Sequence, residues 1–165
     1  MNIQSGYLYF ISDSFFQTVS DPYLKQDHIS TKRPHYFAYK DLASGLIWVV
    51  PCSTQCQKYE DIITKREKQG KPTDTIKIVT IHDVRQALLF QDMFPITHKY
   101  IESEYIIARQ PVYIKNQKVV SKLEKNAKKV ISLIHRGVRF TPTQPDILRI
   151  EKMMLEELKN PLNSP

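Results

Sequence analysis

Glycine and cysteine are scarce in this sequence of 165 residues, which has four glycines and two cysteines. No two glycines lie close together, so a glycine-rich loop that cradles phosphate is excluded. Cys52 and Cys56 have no second pair to complete the four ligands of a typical zinc site. Neither a G-x-S-x-G elbow nor an H-E-x-x-H helix occurs. The most familiar enzyme fingerprints are therefore absent.

Long apolar runs are also missing. The longest candidate, residues 87–90, ends at Gln91 and Asp92, whereas a membrane-spanning helix needs about 20 apolar residues. The first residues lack the basic start of a secretory signal. We therefore expect a cytoplasmic protein whose cysteines are free thiols.

The length and composition are those of an ordinary globular protein, with 41% hydrophobic and 25% charged residues. A chain of this size can bury a core without disulfides or a structural metal. We expect one domain over residues 1–160 and a frayed tail over 161–165.

Positive charge is concentrated in one segment of the chain. The net charge is +7, and residues 115–139 contain eight basic residues and one acidic residue, Glu124. The remainder of the chain has equal numbers of basic and acidic residues. A local positive field of this kind indicates a polyanionic partner.

The basic segment has the apolar spacing of an amphipathic helix, with Ser121 and Glu124 as an expected capping box and Gly137 as its stop. Its opposite face repeats at steps of three and four: Lys122, Lys125, Lys129, Ser132 and Arg136. Cations in such a row repel one another unless solvent screens them or an anion lies along them. With no acidic residue in the row, the pattern favours a phosphate backbone over a merely solvated face.

The remaining pattern alternates short strands with helices. Strands are predicted over residues 6–11, 35–40, 46–50, 76–81 and 87–90, with a short pair on either side of Pro111. Helices are predicted near 15–19, over 55–69, and from Gln144 to Lys159 with Thr143 as the cap. These elements indicate an α+β fold: a compact, strongly curved antiparallel β-sheet or barrel with helical insertions and two C-terminal helices.

The junction between the strand ending near Pro51 and the next helix carries the most suggestive chemistry. Ser53 and Thr54 follow the strand, and Lys58 falls on the first turn of the helix. A helix N-terminus with two hydroxyls and an ammonium group suits a phosphate. The alternative is simple N-capping by Ser53 or Thr54 with a solvated Lys58.

The hairpin strand that enters this junction begins Lys32-Arg33-Pro34-His35. Two cations and an imidazole could therefore face the end of the strand that bears Ser53, and histidine can accept a proton near neutral pH. His28, His82, His98 and His135 are competing candidates.

Taken together, these segments resemble the toxin ribonucleases of type III toxin–antitoxin systems, which include the ToxN and AbiQ proteins, and most closely the CptN and TenpN branch. The resemblance rests on the order and spacing of motifs along most of the chain: GYLYFI at 6–11 followed by Phe15-Phe16, KRPHYF at 32–37, WVVPCST at 48–54 with Lys58-Tyr59, MFPI at 93–96 and KYI at 99–101. The lysine-rich helix and a final short helix also look like that family.

This resemblance implies a metal-independent endoribonuclease with a MazF- and Kid-like fold and no cofactor. Its site carries over to Ser53, Thr54 and Lys58 for stabilising phosphoryl charge, with His35 as the proton-transfer group. The 2′-hydroxyl of RNA would attack its own phosphate and leave a 2′,3′-cyclic phosphate and a 5′-hydroxyl. Cellular RNA would be the substrate. A repeated pseudoknot RNA would be processed and would inhibit the toxin in a closed hetero-oligomeric complex.

The RNA-binding residues expected on this reading are the two cations before the hairpin and most of the basic helix: Lys32, Arg33, Lys115, Lys118, Lys122, Lys125, Lys129 and Arg136. Two rivals use the same residues without catalysis. One is an RNA- or DNA-binding module in which Ser53 only caps a helix, and the other is a protein whose basic helix binds an acidic partner.

Overall fold

In a computed structural model, the chain forms an α+β fold built on a seven-stranded antiparallel sheet, with a separate two-stranded sheet, as the alternation of strands and helices predicts. The structure describes residues 1–24 and 32–161. Four α-helices lie in this part of the chain: α1 (Asp13–Val19), α2 (Cys56–Lys68), α3 (Gln117–His135) and α4 (Ile147–Lys159). Its strands are β1 (Leu8–Ile11), β2 (His35–Lys40), β3 (Ile47–Ser53), β4 (Ile76–Ile81), β5 (Val84–Leu89), β6 (Phe94–Ile96), β7 (Ile101–Glu104), β8 (Ile106–Ile107) and β9 (Gln110–Pro111).

The sheet is open within the described residues, so the expected closure into a barrel is not found. Its order is β4-β5-β3-β2-β1-β7, which leaves β4 and β7 at the edges. The long strand β3 pairs with β2 on one side, and on the other side pairs with β6 near Ile47 and with β5 at its end. Because β3 passes from one partner to the other, its last residue, Ser53, lies beside the β4–β5 hairpin.

The core fills the space between the sheet and the two C-terminal helices. Trp48, Phe37 and Phe94 are fully buried there, and α3 packs against β2 and α4 while α4 packs against β6. Helix α3 approaches the chain so closely at Gly6 that a Cβ at that position would lie 3.2 Å from Val120. A smaller cluster under α2 joins Tyr59 to Ala87 and Leu89 of β5.

Two helix caps differ from the sequence expectation. Helix α3 begins at Gln117 rather than near Ser121, and the side chain of Asn116 accepts a hydrogen bond from the Lys118 amide. Helix α4 is capped by Asp146 rather than Thr143. Pro145 explains the later start of α4, because a residue that precedes proline is disfavoured in the helical region. Gly137 does follow the end of α3, with a positive φ of 85°.

Candidate phosphate-binding site

The β3–α2 junction is open to solvent at its surface. Thr54 and Gln55 are exposed between Ser53, the last residue of β3, and Cys56, the first of α2. The Ser53 hydroxyl accepts a hydrogen bond from the Gln55 amide at 3.2 Å. The N-cap of α2 is Gln55, and its side chain makes no capping hydrogen bond. Ser53 therefore shapes the turn but does not cap the helix, in contrast to the simple capping alternative.

The N-terminus of α2 has an electrostatic character that favours an anion. No acidic residue occurs in the first turn, although that is where carboxylates are most favourable. Lys58 stands there instead, exposed, with its Nζ 5.4 Å from the centroid of the Tyr59 ring. The start of α2 thus combines backbone amides without a side-chain cap, a lysine and the exposed residue Thr54, and no acidic residue opposes an anion in the first turn.

The residues before β2 lie beneath this junction. A guanidinium nitrogen of Arg33, Nη1, donates to the carbonyl oxygen of Cys52 at 2.7 Å, and the Cys52 amide donates to the carbonyl of Pro34 at 3.3 Å. Lys32 is more exposed, and its Nζ contacts Glu102 at 2.5 Å and Asp13 at 3.7 Å. A phosphate that binds Lys32 has to compete with these two carboxylates.

His35 does not reach the surface, and this corrects its expected role. Its side chain is only 1% exposed and lies between the rings of Phe16 and Phe94. Burial, reinforced by the charge of Arg33, lowers the pKa of His35 to about 3. Neither ring nitrogen has a hydrogen-bond partner among the described residues. An imidazole so enclosed cannot contact RNA in this structure, so we leave it out of the proposed chemistry.

The burial of His35 predicts a pH dependence of stability. The unfolded chain takes up a proton near pH 6.5, whereas folded His35 stays neutral until about pH 3. The stability that neutral His35 contributes is therefore complete above pH 6.5 and is lost as the pH falls towards 3, by about 2 kcal/mol at pH 5. Urea unfolding at pH 7 and pH 5 should show that the wild type loses about 2 kcal/mol more than His35→Leu. Equal losses of unfolding free energy in the wild type and in His35→Leu would contradict the burial of His35.

The other histidines that the structure describes lie on elements outside the junction. His82 lies in the β4–β5 hairpin, His98 is exposed before β7, and His135 contacts Glu151 at 2.9 Å. His28 falls outside the described residues.

The two cysteines are free and buried. Burial raises the pKa of the Cys52 thiol to about 12, so this group is a neutral thiol at physiological pH. Cys56 opens helix α2 with its side chain in the interior. Within residues 1–24 and 32–161, no group of three or more histidine, cysteine or acidic side chains has an arrangement suited to a metal ion.

The basic helix presents its lysines to solvent as the spacing predicts. Lys122, Lys125, Lys129 and Arg136 are exposed on the outward face of α3, and Lys115 and Lys118 are exposed at its start. Lys122 and Lys125 make no ion pair with any residue that the structure describes. We call the exposed row formed by Lys122, Lys125, Lys129 and Arg136 the lysine face.

Lys129 differs from its neighbours because an acidic residue from another part of the chain reaches it. Its Nζ donates to Asp74 at 2.8 Å, and Lys77 lies 4.0 Å from the same carboxylate. The hydrogen bond from Lys129 lowers the pKa of Asp74. No local pattern could reveal this pairing, since Asp74 lies 55 residues earlier in the chain. The lysine face is therefore strongest at Lys122 and Lys125.

Strand register relates the junction to the lysine face. Ser53 pairs with Ala87, and Ala87 pairs with Ile78, so Ser53 lies two strand spacings, about 10 Å, from the edge strand β4. Ala87 and Ile78 pack under α2. Lys77, the neighbour of Ile78, points to the opposite side of the sheet, towards Asp74. The β4 edge therefore lies between the two regions, on one path that joins them.

A groove follows this edge. It has a volume of about 460 Å³ and is bounded by β4, the β4–β5 turn and the segment that leads into α3, including Tyr113 and Lys115.

No α-helix among the described residues is both long and apolar enough to cross a membrane.

Comparison with known proteins provides a structural match only. No family model matches the sequence, and no curated protein matches it significantly. Among solved structures, the fold is similar to that of AbiQ, a lactococcal anti-phage endoribonuclease that belongs to a type III toxin–antitoxin system. The TM-score is 0.72, and the match covers 94% of this chain and 99% of AbiQ at 10% sequence identity. The two chains therefore share a fold over nearly their whole lengths.

Proposed function

We propose that this protein is an endoribonuclease toxin of a type III toxin–antitoxin system, and that it cleaves RNA at the β3–α2 junction. The observation that carries the proposal is the uncapped N-terminus of α2, where Lys58 stands in place of an acidic residue and Thr54 is exposed. Its position on a fold shared with an endoribonuclease of that type adds support.

The reaction needs little from the protein besides position and charge. RNA carries its own nucleophile, the ribose 2′-hydroxyl, beside the phosphate that it attacks. The new bond joins the 2′-oxygen to phosphorus, the bond to the 5′-oxygen breaks, and the products end in a 2′,3′-cyclic phosphate and a 5′-hydroxyl. Water accepts the proton from the 2′-oxygen, and the departing 5′-oxygen takes up a proton from water.

The chain's residues stabilise the charge that builds up on the phosphoryl oxygens. Lys58, the hydroxyls of Ser53 and Thr54, and the amides at the start of α2 are the donors in this proposal. A preorganised donor of this kind is worth roughly 3 to 4 kcal/mol. Holding the 2′-oxygen, phosphorus and 5′-oxygen in line lowers the activation barrier further. No metal or cofactor takes part in this proposed mechanism.

The lysine face is the proposed binding surface for antitoxin RNA, a repeated pseudoknot that holds the toxin inactive in a closed complex. Lys115, Lys118, Lys122 and Lys125 contact phosphates without reading bases. Arg136 extends this row, whereas RNA contacts at Lys32 and Lys129 require phosphate to displace their carboxylate partners. Cellular RNA passes from this face around the β4 edge, along the groove beside Tyr113 and Lys115, to reach Ser53.

One observation favours a non-catalytic RNA-binding module instead. The imidazole expected at the junction is buried, and its pKa of about 3 removes it from proton transfer at neutral pH. A protein that only binds RNA would need no such group. Both candidates use the same lysine face, so binding alone cannot distinguish them.

Incubation of the purified protein with end-labelled single-stranded RNA in EDTA separates these functions. The toxin proposal predicts discrete fragments that appear without any added divalent ion. Retention of intact RNA on a filter would instead support the binding module. Neither cleavage nor retention would support a partner-binding protein. The Ser53→Ala variant, purified in parallel by the same procedure, controls for contaminating nucleases.

A further inference from the structure

Arg33 occupies an unusual place between the surface and the core. It lies just before β2 and is half-buried, unlike the more exposed Lys32 next to it. Its Nη1 donates to the carbonyl oxygen of Cys52, and the Cys52 amide donates to the carbonyl of Pro34. Both peptide groups that flank the Cys52 α-carbon are therefore held by the segment that leads into β2.

This contact continues the strand pairing at the point where it ends. Strand β2 begins at His35, which pairs with Pro51 of β3. Because β2 begins at His35, no β2 residue lies opposite Cys52 on the edge of β3 that faces β2. The guanidinium of Arg33 supplies the missing donor, one residue before Ser53. Without it, the Cys52 carbonyl would lose a buried partner, and the turn that carries Ser53 would lose an anchor.

The charge of Arg33 also acts on the elements around the junction. It opposes the pKa increase that burial and Asp92 produce at Tyr59 of α2. It lowers the pKa of His35 and counteracts the rise at Cys52. The guanidinium therefore lies near the end of β3, helix α2 and the start of β2. A lysine would keep this positive charge but lacks the planar guanidinium that directs a donor at the Cys52 carbonyl.

We propose that Arg33 is a positioning residue for the cleavage reaction, and that it acts through the Cys52 peptide to hold Ser53 and the first turn of α2 around one phosphate. This role replaces the phosphate contact expected from the sequence. The inference rests on the proposed nuclease function. Because a reacting group displaced by about 1 Å can cost about 100-fold in rate, a loosened Cys52 peptide is expected to lower kcat.

The test is a double-mutant cycle between Arg33→Lys and Ser53→Ala, measured as the cleavage of labelled RNA under multiple turnover. We expect Arg33→Lys to lower kcat by about 10- to 100-fold, with KM and the salt dependence of RNA binding nearly unchanged. In the Ser53→Ala background the same substitution should lower kcat by no more than about threefold, because two residues that act on one element are coupled.

A phosphate contact gives a different pattern. If Arg33 binds RNA directly, Arg33→Lys leaves the salt slope unchanged, but Arg33→Gln and Arg33→Met raise KM equally and flatten the slope. On the positioning account Arg33→Gln and Arg33→Met both lower kcat with KM nearly unchanged, because neither side chain can reach and donate to the Cys52 carbonyl as Nη1 does. Gln and Met variants that raise KM but keep the wild-type kcat would overturn the proposal, as would an undiminished effect of Arg33→Lys in the Ser53→Ala background.

The same experiments separate this inference from the proposed function. If Ser53→Ala alone cleaves RNA at the wild-type rate, the site assignment fails whatever Arg33 does. If Ser53→Ala is impaired but the Arg33 variants change only KM, the nuclease site stands and the positioning role is wrong. Should Arg33→Lys fail to fold, as judged by circular dichroism and thermal unfolding, the Gln and Met pair decides the question.

Discussion

Replacing Ser53 and Lys58 together with alanine should reduce the rate of RNA cleavage by about 1,000-fold or more. Loss of one preorganised donor typically costs 100- to 1,000-fold, and two donors on the same phosphate are not expected to be additive. Single-turnover cleavage of a labelled RNA by the wild type and by the double variant gives the ratio directly.

Folding and nonspecific charge have to be controlled in this experiment. Ser53→Ala removes one hydrogen bond within the turn, which costs about 1 kcal/mol of stability. The variants are therefore compared well below their melting temperatures. Lys65→Ala is the matched control, because Lys65 is exposed on the same helix about two turns beyond Lys58. If the double variant cleaves RNA at the wild-type rate, the β3–α2 junction is not the cleavage site.

Reversing the charge of Lys122 and Lys125 should weaken RNA binding by about tenfold or more at low salt. If each lysine neutralises one phosphate, the plot of log affinity against log salt becomes shallower by about 1.4 to 1.8. Filter binding or fluorescence anisotropy of Lys122→Glu with Lys125→Glu, measured over several salt concentrations, gives this slope. Lys129 is left unchanged, because a glutamate there would face Asp74 and destabilise the fold.

The control for this pair lies on α4. Lys152→Glu with Lys159→Glu changes the net charge of the protein by the same amount on exposed positions of another helix. We expect it to leave the salt slope close to that of the wild type. If both pairs change the slope equally, RNA responds to net charge alone and the lysine face has no special role. An unchanged slope in the α3 pair would exclude direct phosphate contacts there.

Local pattern was sufficient for the elements on either side of the site. Two strand-like runs joined by a short connection predict the β2–β3 hairpin, and helical spacing predicts α2 and α3. The local pattern does not reveal β6, because Pro95 lies within it, or β7, because Glu102, Ser103 and Glu104 give it a polar character typical of a loop. Both strands depend on tertiary pairing, β6 with β3 and β7 with β1.

The site residues divide in the same way. Ser53, Thr54 and Lys58 are close in sequence, so a strand followed by a helix was enough to bring them together. The burial of His35 depends on Phe94, which is 59 residues away, and on Phe16. The hydrogen bond from Arg33 to Cys52 likewise joins two segments that no periodicity connects.

The tail from residue 162 onwards lies outside the described residues.

The chemistry of the cleaved ends tests the central claim most directly. The purified protein is incubated in EDTA with a defined RNA, and the masses of the fragments are determined. Attack by the ribose on a phosphate held at the β3–α2 junction predicts fragments that carry a 2′,3′-cyclic phosphate on one side of the break and a 5′-hydroxyl on the other. Fragments that end in a 5′-phosphate and a 3′-hydroxyl, or RNA that stays intact, would contradict the account.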